Sequence, residues 1–305
     1  MRNDAAGPGF ARPRLTAAEG GEGGGSWGNH GFPHGVRVMP AKGANTKVRC
    51  ALTIASSDSA GGAGIQADLK AFAAAGCHGT TVLVALTAQN TTAVTAFHEV
   101  PPDFVLAQLE AVFDDIEIDA AKTGMLFSAT LIETVAAFLA EHPVPLVVDP
   151  VMVASSGAKL LHDDAVGTYV DRLFPLATVV TPNVLEAEVL AGGRGSRREL
   201  AERIQALGAP AVVVTGGHGA GAVDHLFDGD RHVEIPVDRI PRAATHGAGC
   251  THSATLAAYL ARGASLVEAA EAAAAAAAGA VARGLDDVGA GEGPVDVLDV
   301  RGRRS

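Results

Sequence analysis

Cysteine is scarce in this 305-residue chain. Cys50, Cys77 and Cys250 are the only three, odd in number and far apart. They build neither a disulfide framework nor a zinc-ligand spacing, so a reducing compartment, the cytoplasm, is the expected setting. Aromatic residues make up only 4% of the sequence, while alanine and glycine abound, a drift towards small residues that carries no functional signal of its own. Positive charge is in deficit, with 23 Lys and Arg against 34 Asp and Glu, for a net charge of -11. That balance argues against non-specific nucleic-acid binding, yet it leaves room for a phosphate site built from local N–H groups and a few cations. No strongly apolar run is long enough to span a bilayer. The first residues lack the basic-then-apolar order of a secretory leader, so neither membrane span nor export is expected.

The hydrophobic fraction is 48%, enough for a sizeable core. Residues 1–47 are rich in Gly, Pro and Arg with little apolar periodicity, and are expected to be a disordered extension. From residue 48 onward, strand-like and helix-like segments alternate without an internal linker. Apolar runs at 49–55, 80–87, 118–125, 145–152, 177–181 and 211–215 read as strands, with shorter β-like pieces at 223–227 and 232–236. Helices are expected from about Ile65 to Ala75, over 102–114, from Ser128 to Ala140, after Pro182, from Ser253 to Ala261 and from Ser265 to Arg283. The alternation predicts one α/β domain over 48–298, a mostly parallel central sheet with helices on both faces, followed by a frayed tail at 299–305.

Chemistry-bearing residues cluster where these strands end. The stretch Thr245-His246-Gly247-Ala248-Gly249-Cys250-Thr251 is a small-residue turn that runs into a helix. Backbone N–H groups at a helix start, with the dipole behind them, favour an anion. A thiol there, Cys250, is expected to have a lowered pKa. The plainer reading is a Gly-containing turn with Cys250 as a small core residue. Ser56 to Gly64 forms a Gly-rich loop between a strand and a helix, a ligand loop whose ligand class stays open, since its spacing is neither a dinucleotide fingerprint nor a P-loop. Gln89 ends a strand, where its amide suits the edge of a heterocycle, or simply solvent beside the turn-forming Asn90. Asp149, before Pro150, is either a turn-former or a group near magnesium or phosphate. Asn183 and Glu186 open a helix, as a water-mediated cation site or as a capping pair. Gly216-Gly217-His218-Gly219 is a second Gly-rich turn.

Seven of these pieces, in this order and spacing, resemble the hydroxymethylpyrimidine/phosphomethylpyrimidine kinases of thiamine biosynthesis, a family of the ribokinase-like superfamily. They are Ala55 to Asp68, Thr87 to Thr91, Lys122 to Leu126, Asp149 to Val153, Thr181 to Glu188, Gly216 to His218, and Thr245 to Thr251. The resemblance covers about residues 48–298. It implies a ribokinase-like three-layer sandwich that phosphorylates 4-amino-5-hydroxymethyl-2-methylpyrimidine with ATP, and then its monophosphate. Carried over residue by residue, it implies that Gln89 hydrogen-bonds the aminopyrimidine and that Ala63, Met125 and Val151 line the ring pocket. Cys250 becomes the base, and the N–H groups of Gly247, Ala248, Gly249 and Cys250 form the anion hole. Asp149, Asn183 and Glu186 help hold magnesium and the triphosphate, with Asp149 and Glu186 reaching the metal through water, while Gly216 and Gly217 lie near the nucleotide. Family members usually have Thr where this chain has Ala248. Homodimers are common in the family, so a homodimer is among its implications. The competing readings are a pyridoxal kinase, and a non-catalytic pyrimidine-binding protein on the same fold.

Overall fold

Short runs of Val, Leu, Ile and Ala make the centre of the sheet, interrupted by the charge of Lys122. In the computed structural model, which describes residues 47–152, 165–216, 223–238, 240–241 and 244–303, nine strands form one sheet. They are β1 (Cys50–Asp58), β2 (His78–Gln89), β3 (Val94–Glu99), β4 (Ala120–Thr123), β5 (Leu146–Val148), β6 (Val179–Val180), β7 (Val212–Val214), β8 (Val223–Phe227) and β9 (His232–Pro236). Their order is β3-β2-β1-β4-β5-β6-β7-β8-β9. The six from β2 to β7 pair in parallel, and β3, β8 and β9 add antiparallel edges. Such parallel strands are buried on both faces, which is why they read as continuous apolar runs. The residues expected to form the N-terminal extension lie outside the described residues except for Lys47.

Alternation along each strand divides the core in two. Leu52, Ile54, Leu146, Val148, Val180, Val212 and Val214 point to one face. There they meet α2 (Pro102–Phe113), α3 (Ala129–Glu141), α4 (Ala165–Thr168), α5 (Val184–Leu190) and α6 (Arg197–Gln205). Ala51, Val147, Val179 and Val213 point to the other face, against α1 (Gly64–Ala74), α7 (Ala248–Ala261) and α8 (Leu266–Ala282). The first face is filled by bulky side chains, among them Phe138, Tyr169 and Phe174. The second is filled largely by alanine, at 254, 257, 258, 269, 270, 273 and 274, so α7 and α8 pack through small side chains. Alanine has the highest helix propensity, which keeps the long run in α8 helical despite its weak hydrophobicity.

The caps locate the helix starts. Ser128, expected as an N-cap, accepts the Leu131 N–H at 3.4 Å. Ser196 with Glu199, and Ser265 with Glu268, are capping boxes. Three elements were not read from the sequence: the edge strand β3, most of whose side chains are exposed, and the short helices α4 and α6. The helix expected from Ser253 begins instead at Ala248, so the small-residue turn is itself the first helical turn. The crossover order brings the C-terminal ends of β1, β2, β4, β5, β6 and β7 to one rim, where open α/β sheets bind ligands.

Candidate active site

One side of the rim is built by two loops locked into each other. β1 ends at Asp58, whose carboxylate accepts the N–H groups of Ala60 at 2.8 Å, Gly62 at 3.0 Å and Ala63 at 2.8 Å. From 188 positions further along, His246 brings Nε2 to 3.0 Å from Asp58 Oδ2. Burial opposes charge on Asp58, but the hydrogen bond from His246 and those from Ala63 and Ala60 outweigh it and hold its carboxyl below the ordinary value. Gly62 and Gly247 make the fit possible. A Cβ on Gly62 would stand 2.2 Å from His246 Cδ2, and one on Gly247 would stand 1.8 Å from the carbonyl oxygen of Gly62. Gly247 also has φ of +86°, a left-handed conformation natural to glycine.

Gln89 ends β2 beside this junction, half-buried. Its backbone N–H and carbonyl exchange hydrogen bonds with the Ser59 hydroxyl at 2.8 and 2.7 Å, and its amide lies 3.4 Å from His246. The sequence expectation thus brings Gln89 and Ala63 together, but through Asp58 and His246, to which it gave no role. Met125 is buried just past the end of β4, and Val151 is half-buried two residues past Asp149.

Cys250 lies in the first turn of α7. Thr251 N–H bonds to Gly247 O and Ala248 N–H to Thr245 O, so helix geometry leaves the N–H groups of Gly249 and Cys250 as the donors without an intrahelical acceptor. The Gly64 backbone N–H favours the Cys250 thiolate slightly. The expected lowering of its pKa is corrected here. Burial pushes the thiol up to about 12, with Asp68 and Asp149 pushing the same way, and the nearby Lys122 charge offsets only part of this. A helix start alone does not overcome that desolvation.

Lys122 is a group that sequence reasoning did not use. A charge inside an apolar strand was the signal available. It is fully buried, with Nζ 2.9 Å from both carboxylate oxygens of Asp68 and 3.9 Å from Asp149 Oδ2. Burial works against its charge, but Asp68, Cys250 and Asp149 outweigh it and keep the ammonium protonated. Thr53 donates to Asp68 at 2.6 Å, and Ser253, one turn after Cys250, donates to Asp149 at 2.8 Å. A Cβ on Gly124 would stand 2.9 Å from Lys122 Nζ, so that glycine makes room for the buried charge.

On the other side of the rim, Asn183 and Glu186 form a capping box: Asn183 Oδ1 accepts the Glu186 N–H at 3.0 Å, and Glu186 Oε2 accepts the Asn183 N–H at 2.9 Å. Asn183 is thereby committed to α5. Glu186 also faces Asp149. Burial, then the Asp149 charge, raises its pKa to about 8. Burial raises the Asp149 carboxyl too, against the pull of Lys122. Two buried carboxylates that repel each other are a donor set suited to a hydrated divalent cation. Among the described residues no group of three or more His, Cys, Asp and Glu side chains could hold a metal ion, so a full protein cage is not built here. Gly216 follows β7. Its N–H bonds to Asp224 at 2.7 Å, its carbonyl accepts from Arg197 at 3.3 Å, and a Cβ there would stand 2.0 Å from the Val223 carbonyl. Asp224 in turn lies 3.1 Å from buried His252 of α7. Gly217 lies outside the described residues.

Residues 58–296 match the phosphomethylpyrimidine kinase family. The chain is 48% identical over 253 residues to a hydroxymethylpyrimidine/phosphomethylpyrimidine kinase of Rhizobium meliloti, across 80% of this chain and 95% of that one. It is 49% identical over 263 residues to the thiamine biosynthesis bifunctional protein ThiED of Geobacter sulfurreducens, across 83% of this chain but only 54% of that longer protein. Among solved structures, an ADP complex of Bacillus subtilis pyridoxal kinase superposes with a TM-score of 0.77 at 38% identity, covering 84% of this chain and 99% of that one. No helix among the described residues is long and apolar enough to cross a membrane.

Proposed function

Because the chain belongs to the phosphomethylpyrimidine kinase family, we propose that it transfers the γ-phosphoryl group of ATP to the hydroxymethyl group of 4-amino-5-hydroxymethyl-2-methylpyrimidine, and then to the resulting monophosphate. The observation that carries this reading is the junction of the two acceptor loops, which sets an amide, Gln89, across from a helix N-terminus that begins Gly247-Ala248-Gly249-Cys250. An amide suits the amino and ring-nitrogen edge of a pyrimidine. Ala63, Met125 and Val151 are the small and apolar groups for the ring. The helix start supplies N–H groups to the transferring phosphoryl.

In the proposed reaction the acceptor oxygen bonds to the γ-phosphorus, the bond from that phosphorus to the β–γ bridging oxygen breaks, and ADP leaves. In the first transfer the hydroxymethyl proton goes to Cys250 Sγ. Phosphoryl transfer asks mainly for positioning and charge stabilisation, so a modest base is enough. With the thiol raised to about 12, only the small ionised fraction can take the proton at neutral pH, and kcat should therefore climb with pH above neutrality. Asp149 and Glu186 would hold magnesium through water, and the ion, when bound, neutralises triphosphate charge. Gly216 and Gly217 are assigned to the nucleotide.

The test is Cys250→Ala. It should bind the pyrimidine as wild type does in calorimetry, while kcat falls about 10²- to 10⁴-fold, the usual reach of general-base catalysis. Unchanged turnover, or a wild-type kcat that is flat from pH 7 to 9, would remove Cys250 as the base. The pyridoxal kinase neighbour keeps a second acceptor in view, and turnover of pyridoxal in preference to the pyrimidine would favour it.

A further inference from the structure

Proton counting around Gln89 fixes which way its amide faces. Thr87 Oγ1 lies 3.0 Å from Ser57 O and 3.1 Å from Gln89 Oε1. A hydroxyl has one proton and cannot donate to both acceptors. On the other side, His246 Nε2 lies 3.0 Å from Asp58 Oδ2 and 3.4 Å from Gln89 Nε2. The Asp58 carboxylate already collects three backbone N–H groups and only accepts, so His246 Nε2 carries a proton whether the ring is neutral or charged. A protonated Nε2 cannot accept from an amide N–H. Exchanging the amide oxygen and nitrogen relieves Thr87 and replaces the donor–donor contact at His246 with a donor–acceptor one, in which the Nε2 proton goes to Asp58 at 3.0 Å and the amide oxygen is its more distant second acceptor at 3.4 Å. Thr87 then donates to Ser57 and accepts from the Gln89 amide N–H, while the amide oxygen faces the imidazole N–H. Each amide end keeps one unused site: a lone pair on the oxygen and an N–H on the nitrogen.

We infer that Asp58 and His246 are positioning residues that lock the Gln89 amide in this single orientation, and thereby make the site select a heterocycle whose edge carries an amino donor next to a ring-nitrogen acceptor. The inference rests on the role given to Gln89 above. The lock is rigid because its parts have no slack. Gly62 lacks the Cβ that would strike the imidazole. The His246 backbone is held from both sides, its N–H by Gly293 O at 3.2 Å and its carbonyl by Val295 N–H at 3.0 Å. A pyridoxal ring has no amino donor, and its aldehyde oxygen only accepts, so the locked amide oxygen offers it no hydrogen bond there and the lock is not what holds it.

Asp58→Asn tests the lock with little change in shape. An amide nitrogen in place of Oδ2 donates to His246, lets Nε2 become an acceptor and frees Gln89 to turn over, at the cost of the Gly62 and Ala63 N–H bonds that Oδ2 accepts. His246→Gln removes the imidazole. For both variants the KM for the aminopyrimidine should rise about tenfold or more, the scale of a lost or mispaired hydrogen bond in a site built to make it. The KM for ATP and the kcat/KM for pyridoxal should stay within about twofold, so selectivity collapses. An equal loss for both acceptors, or unchanged selectivity, would overturn the inference in favour of a purely structural role. If neither variant folds, wild-type calorimetry decides without nucleotide. The pyrimidine with hydrogen in place of its 4-amino group should bind about tenfold or more weakly than the parent, and equal binding would overturn the inference. A wild type that binds the aminopyrimidine selectively but does not phosphorylate it would sink the proposed reaction and leave the lock standing.

Discussion

The two sides of the rim, proposed above to take the acceptor and the nucleotide, are organised in opposite ways. On the acceptor side, groups far apart in the chain complete one another: Asp58 with His246, Ser59 with Gln89, and Gly62 with Gly247. On the nucleotide side the hydrogen bonds are more local, a capping box at Asn183–Glu186 and a short link from Gly216 to Asp224. The local contacts leave a charge problem unsolved there, because Asp149 and Glu186 face each other in a buried setting and both are pushed up. One half is self-sufficient in hydrogen bonds. The other is balanced only when protons, or a cation, join it. The difference suits the proposed pair of ligands, a neutral ring on one side and a metal-bound triphosphate on the other.

The sharpest break comes from the charge that touches both halves. Lys122→Met leaves Asp68 and Asp149 buried without their counter-ion, and should cost about 3–5 kcal/mol of stability, read from urea denaturation. A loss near zero would mean that the carboxylates protonate without strain. Next, Gly247→Ala attacks the acceptor side alone. It adds a Cβ 1.8 Å from Gly62 O at a left-handed position, so both melting temperature and pyrimidine binding should fall, by more than the ~1 kcal/mol that left-handed strain alone costs.

A third prediction isolates the nucleotide side. Glu186 holds its proton in the folded chain up to about pH 8, well above its ordinary value of 4.5. The folded state therefore binds more protons than the unfolded chain between those limits, and stability falls as pH rises through that window. Glu186→Gln should flatten the decline in melting temperature between pH 5 and 8. In wild type, magnesium must displace the proton, so stabilisation by magnesium should grow with pH over the same range. A magnesium effect independent of pH would detach Glu186 from the metal. The smallest effect is that of Asn183→Ala, which removes a cap and should cost about 1 kcal/mol, measured by thermal unfolding, with pyrimidine binding unchanged.

Much of this was legible in the residues. The apolar runs gave the parallel strands because both sheet faces are covered, and Ser128 marked its helix start. β3 escaped because its Val94 to Glu99 side chains are mostly exposed, so no burial pattern imprinted them. The Ser196-x-x-Glu199 box was present in the sequence but lay in a strongly polar helix with a narrow buried stripe of Leu200, Ala201 and Ile204. In the candidate site, Gln89, Asp149 and Cys250 stood out by type and position. Their environments were not. The high Cys250 pKa arises from burial and from the placement of Asp68 and Asp149, none of which is adjacent in sequence. The pairing of Asp58 with His246 likewise joins opposite ends of the domain, and no local pattern announces it.

The most direct measurement is ADP production with magnesium and ATP, comparing 4-amino-5-hydroxymethyl-2-methylpyrimidine, its monophosphate and pyridoxal as acceptors. The account predicts turnover of both pyrimidines at a kcat/KM well above that of pyridoxal. Turnover of pyridoxal alone would contradict it, and would make Gln89 and its lock something other than the reader of an aminopyrimidine.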